Sequence, residues 1–153
     1  MTRTNNLKTE LYLQCQDFVD ARLKAIQKTI DEIQESLTSE TKSSAGDKHE
    51  TGRAMLQLER EKAGQQLAEI QKLNQLLSKI DVSKTTSTIG LGSIVFTTQA
   101  DYFIAISAGE FNVQDQSFYA ISVNTPMAKL LLGKQKGDNI HFREQHFKIK
   151  SVF

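Results

Sequence analysis

The chain has a single cysteine, a single proline and no tryptophan in 153 residues. One thiol, Cys15, excludes an internal disulfide and a cysteine zinc cluster. It falls among Leu11, Phe18 and Val19 at helical spacing, the setting of a buried thiol in a reducing compartment. Charge of one sign is lacking too. Nineteen Lys and Arg against eighteen Asp and Glu leave a net charge of +1, so no general field draws the chain to nucleic acid or anionic lipid. Any contact with RNA is then local or indirect. No stretch approaches the ~18 apolar residues of a membrane span, and the opening "MTRTNNLKTELYLQ" lacks the apolar centre of a signal peptide. The reading places the chain in the cytoplasm, away from membranes. Gly-rich phosphate loops and a Ser-His-Asp order are also missing.

What is present divides by period. From Leu7 to about Leu37, Val19, Leu23, Ile26, Ile30, Ile33 and Leu37 recur in alternating steps of four and three, the spacing of a coiled-coil seam, with no proline and no glycine before Gly46. A second run covers about Arg53 to Ile80, where Leu56, Ala63, Leu67, Ile70, Leu73, Leu77 and Ile80 share a face while Glu59, Arg60, Glu61, Lys62 and Gln66 point away. Each narrow stripe needs a partner. Two such helices joined by a polar linker predict an antiparallel hairpin over residues 1–80, with its tip near 38–52 and arms of about 45 Å at ~1.5 Å per residue.

After a boundary at 81–87 the period becomes two. "IGLGSIVFTT", "YFIAISAG", "SFYAISV", "NIHFR" and "HFKIKSVF" are short β-branched and aromatic runs separated by Gly, Asp, Asn and Gln. Between the third and fourth, Thr125 and Pro126 read as a helix N-cap with proline at the first helical position, and Gly133 ends that short helix. Residues 88–153 thus predict a small antiparallel sheet covered by one helix, and the whole chain reads as α+β. Phe103, Phe111, Phe118, Tyr119, Phe142 and Phe147 are expected mainly in the sheet core, with His141 and His146 at strand edges beside the final turn.

The linker "TSETKSSAGDKHETG" is where chemistry and turn-making compete. Gly46 suits a positive φ, Ser44 or Asp47 suits an N-cap, and Glu50 suits the first turn of the second helix. Yet Asp47 and Glu50 are three apart, so in a helix they are neighbours on one face and offer paired carboxylate oxygens. Lys42, Lys48, His49 and Arg53 add a local set of contacts for RNA or for a protein's acids, or simply a solvated loop.

Particular residues in both halves resemble the Gre-type (GreA/GreB) bacterial transcription elongation and transcript cleavage factors. "IGLGSIV" is similar to the family's opening strand. "TPMAKLLLGKQKGDNIHF" resembles its Ser-Pro-(Leu/Ile)-Gly-(Arg/Lys)-Ala-Leu-(Leu/Ile)-Gly-Lys-x-x-Gly-Asp signature, with Pro126, Leu131, Leu132, Gly133, Lys134, Gly137 and Asp138 at the matching places. At the tip the family carries Gly-Asp-x-x-Glu-Asn-Ala-Glu-Tyr. Here Gly46, Asp47 and Glu50 agree, whereas Thr51, Gly52, Arg53 and Ala54 follow in place of Asn-Ala-Glu-Tyr. The first helix also lacks the glycine common near the family's N-terminus.

The resemblance implies an FKBP-like fold for the second half and a hairpin that enters the secondary channel of RNA polymerase. It implies that Asp47 and Glu50 assist a Mg²⁺ ion shared with the polymerase, with no tightly bound cofactor of the chain's own. It further implies that Pro126, Lys134, Gly137 and Asp138 belong to the polymerase-binding domain, that nascent RNA is met only indirectly, and that the chain is a monomer and no self-sufficient nuclease. Two metals a few ångströms apart can activate water and stabilise the leaving oxygen of a phosphodiester, and Mg²⁺ accepts a few carboxylate oxygens plus waters. Two other readings stand beside it. The altered residues after Glu50 suit a channel-binding regulator without cleavage, and the helical half also suits an oligomerisation coiled coil carrying a peptide-binding or prolyl isomerase module.

Overall fold

In the computed structural model the backbone is described for residues 2–42 and 46–153, and side chains for 6–39 and 51–153. Two long helices come first, α1 (Thr2–Lys42) and α2 (Gly46–Ser78). Six strands follow: β1 (Ile94–Thr97), β2 (Asp101–Ala105), β3 (Gly109–Val113), β4 (Gln116–Ser122), β5 (Asn139–Phe142) and β6 (Gln145–Val152), with α3 (Pro126–Leu131) between β4 and β5. The predicted α+β order of helical hairpin, then sheet with one short helix, is the observed one.

The helices close on each other along the predicted stripes. Ile26, Ile30, Ile33 and Leu37 of α1 are buried together with Ala63 of α2, and Leu56, Leu67 and Ile70 pack against them. The expected polar linker is shorter than its composition suggests, because Thr38–Lys42 and Gly46–Gly52 are helical. Within this run the Thr38 hydroxyl donates back to the Gln34 carbonyl at 3.0 Å, the bond a threonine makes inside a helix. Ser44 lies outside the described residues.

The chain forms two compact units, residues 19–74 on one hand and residues 1–18 with 75–153 on the other. The period changes near residue 81, but the start of α1 and the end of α2 belong to the sheet-bearing unit. In that unit Leu7, Leu11, Cys15 and Leu77 are buried, and Lys8 Nζ donates to the Lys84 carbonyl at 2.7 Å across the 81–87 segment. Desolvation by burial lowers the Lys8 pKa, and nearby Asp81 opposes that shift.

The sheet order is β3-β4-β2-β1-β6-β5. Four of its pairings are antiparallel as expected; the β2–β4 pairing is parallel, with Tyr102 opposite Tyr119 and Ile104 opposite Ile121. The cause is β3, which the sequence does not announce. Gln114 and Asp115 adopt φ of 54° and 63°, the double left-handed turn that matches hairpin twist. This folds β3 onto β4 and delivers β4 beside β2 in the same direction.

One sheet face, built on Val95, Ile104, Ile140, Phe147 and Ile149, is covered by Ala128 and Leu131 of α3. By strand alternation the other face presents Ile94, Phe103 and Phe118, all fully buried. Phe96 meets Phe118 edge to face at 5.7 Å and Phe153 at 5.9 Å. Of the expected core aromatics, Tyr119 is an exception: it is 41% exposed and its ring lies 6.1 Å from Tyr102.

Cys15 is buried as predicted. Desolvation pushes its thiol up to about 12, opposed by a backbone hydrogen bond with Ile106. At pH 8 the thiolate fraction is then on the order of 10⁻⁴. Aromatic disulfide reagents are expected to leave the folded protein untouched and to titrate one thiol in denaturant. Rapid labelling of the native chain at pH 8 contradicts this burial.

Candidate functional site

Asp47, Lys48, His49 and Glu50 all fall in the first turns of α2. Asp47 therefore sits inside the helix as it begins. A separation of three along a helix puts Asp47 and Glu50 on neighbouring positions of one face, near a terminus whose unpaired N–H groups favour negative charge. The side chains of Lys42, Asp47, Lys48, His49 and Glu50 lie outside the described residues. Arg53, the next charged residue, is partly buried, while Ala54 is exposed. Beyond it Met55 and Leu58 are 60% and 62% exposed, leaving an apolar strip on the outer side of α2.

Two carboxylates supply the hard oxygen donors that Mg²⁺ takes, but a six-coordinate ion needs further oxygens. Among the described residues, which do not include the side chains of 47 and 50, no group of three or more His, Cys, Asp or Glu is placed to hold a metal.

The stretch 125–138 is described in full, and the fold accounts for each of its marked residues. Thr125 Oγ1 accepts the Ala128 N–H at 3.2 Å and donates to the Ser122 carbonyl at 2.9 Å, capping α3 with Pro126 in its first turn. Leu131 is buried, and Leu132 packs on the same core. Gly133 has φ of +81°, beyond the range comfortable for a side chain. It donates to the Ile89 carbonyl at 2.9 Å, and the Lys134 carbonyl accepts the Ile89 N–H at 2.9 Å. Gly137, at φ +92°, donates to the Ile149 carbonyl at 2.8 Å. Asp138 Oδ2 accepts the Gln135 N–H at 2.8 Å, closing the turn into β5. The Pro126, Lys134 and Asp138 side chains are exposed. A cap, two left-handed glycines and a side-chain-closed turn are demands of backbone geometry. These residues are separated from positions 47 and 50 by some 75 residues of sequence, and the two groups are distinct candidates.

His141 and His146 flank the final turn as expected, His141 on the edge strand β5 and His146 on β6, and they are also partners. They face each other directly across β5 and β6, with ring centroids 4.1 Å apart. The signal was present in "HFREQH": a two-residue turn at Arg143 and Glu144 puts positions five apart opposite each other.

No family model and no curated protein sequence matches the chain. Among solved structures, the transcription factor Gfh1 is 18% identical over 92% of this chain and 92% of its own, with a TM-score of 0.34. A superposition that loose transfers no role.

Proposed function

We propose that this chain is a transcription factor that binds RNA polymerase, inserts its helical hairpin into the secondary channel and stimulates Mg²⁺-dependent cleavage of backtracked RNA. It acts as a cytoplasmic monomer and is no nuclease by itself. Asp47 and Glu50 add carboxylate oxygens to a metal that the polymerase also holds, and Lys48, His49 and Arg53 contact its surroundings. The observation that supports this reading is the position of the acidic pair, in the first turn of α2 where two long apposed helices meet. There a thin element carries hard oxygen donors three residues apart, the chemistry that two-metal phosphodiester cleavage uses. Pro126, Lys134, Gly137 and Asp138 are assigned to the domain that docks outside the channel.

The test is a purified, stalled, backtracked polymerase complex with labelled RNA, to which the protein is added with and without Mg²⁺. Shortening of the RNA from its 3′ end, dependent on both, is the expected result. Thr51, Gly52, Arg53 and Ala54 favour a second reading, a secondary-channel regulator without cleavage. Binding with altered initiation or pausing but no shortening selects that reading, and failure to bind polymerase removes both.

A further inference from the structure

We propose that His141 and His146 form a two-imidazole binding site for a late first-row divalent cation of the Zn²⁺, Ni²⁺ and Cu²⁺ class, on the edge hairpin β5–β6 and independent of the acidic tip. His141 Nδ1 stands 3.1 Å from His146 Nδ1 and 2.9 Å from His146 Nε2. Metal–nitrogen bonds of about 2.0–2.1 Å meeting at about 90–110° separate two nitrogens by about 2.8–3.4 Å. The observed spacings lie inside that range, and because His141 Nδ1 is nearly equidistant from both nitrogens of the His146 ring, whose lone pairs diverge, chelation requires the His146 ring to turn until one of its nitrogens and His141 Nδ1 point at a common ion.

The backbone holds this arrangement. His141 and His146 are register partners in an antiparallel pair whose next rungs are Ile140 with Phe147 and Asn139 with Lys148. Ile140 and Phe147 are anchored in the core, so alternation turns both histidines outward, where they are exposed. Two ligands on a rigid ladder lose little freedom on chelation, and that preorganisation favours binding over two independent surface histidines. Arg143, in the turn, lies over the Phe142 ring, 5.0 Å from its centroid, and Lys148 is two rungs along the ladder beside Asn139, on the same face as His146.

Imidazole nitrogen is a borderline donor, suited to Zn²⁺, Cu²⁺ and Ni²⁺ and poorly suited to Mg²⁺ or Ca²⁺. With two protein ligands, water fills the remaining positions. Affinity is expected to rise towards Cu²⁺ in the usual order for nitrogen sites. Binding also staples β5, an edge strand held by one neighbour, to β6, and must raise the stability of the folded state by mass action.

The experiment titrates the chelator-treated full chain with NiCl₂ and with ZnCl₂ in a non-coordinating buffer, read by calorimetry and by the unfolding midpoint. One ion per chain is expected, with a metal-dependent rise in the midpoint that excess MgCl₂ leaves in place. His141→Gln and His146→Gln are each expected to weaken binding at least about tenfold, and His49→Gln to leave it unchanged. Both changes are at exposed positions, and the metal-free midpoints of the variants report whether they fold like the parent. The proposal is overturned if the variant carrying both His141→Gln and His146→Gln binds as the parent does, if His49→Gln abolishes binding instead, or if no saturable binding occurs.

Discussion

Phe118→Ala is expected to destabilise the protein by about 3–5 kcal/mol, whereas Tyr119→Ala, one residue along the same strand, should cost less than about 1 kcal/mol. Phe118 is fully buried, meets Phe96 edge to face at 5.7 Å and pairs across the ladder with Phe111. Truncation removes its transfer free energy and leaves a void that a sheet anchored on both sides cannot collapse into. Against a usual stability of about 5–15 kcal/mol that is a large share. Tyr119 points the other way and is 41% exposed. Its loss removes a tilted contact with Tyr102 at 6.1 Å and little buried surface. Urea unfolding, with the slope held common to both variants, measures the difference. Costs for the two positions within about 1 kcal/mol of each other rule out the facing assigned to β4.

The same alternation decides what could be read in advance. The helices were legible because their stripes run for many turns without proline, and Ile26, Ile30, Ile33 and Leu37 are buried together as the spacing demands. Thr125, Pro126 and Gly133 were legible because capping and a left-handed helix end admit few residue types. β3 was not. Its alternation is limited to two apolar positions, Phe111, partly buried, and Val113, buried, too short a run to mark a strand by itself, and with it went the parallel β2–β4 pairing. The extent of the helices around 38–52 was hidden by composition, since Ser, Thr and Gly favour turns and caps over helix interiors. Residues 125–138 serve turns and core through the Thr125 cap, the buried Leu131, the left-handed Gly133 and Gly137 and the Asp138-closed turn, while the Pro126, Lys134 and Asp138 side chains stay exposed.

At Asp47 and Glu50 the structural and the chemical readings part company. Asp47→Ala with Glu50→Ala is expected to reduce stimulated RNA shortening in backtracked complexes by about 100-fold or more, since a second metal's charge stabilisation amounts to several kcal/mol. Binding to polymerase should be retained, because the hairpin seam, from Ile26 to Leu37 on α1, is untouched. If the acids only complement the start of α2, their removal instead costs about 0.3–1 kcal/mol each in helix stability and leaves any effect on the polymerase unchanged. A single Asp47→Asn change separates the cases further. It keeps the side chain's size but removes the charge that Mg²⁺ requires, so it should cost no more than the helix-dipole contribution of about 0.3–1 kcal/mol and still depress cleavage, with partial recovery as Mg²⁺ is raised. Cleavage insensitive to both variants would show that the chain's effect, if any, comes from occupying the channel. Replacing Thr51, Gly52, Arg53 and Ala54 by Asn-Ala-Glu-Tyr then completes the comparison. A gain of cleavage in that variant, absent when Asp47 and Glu50 are removed from it, identifies the residues after the acids as what holds the metal chemistry back.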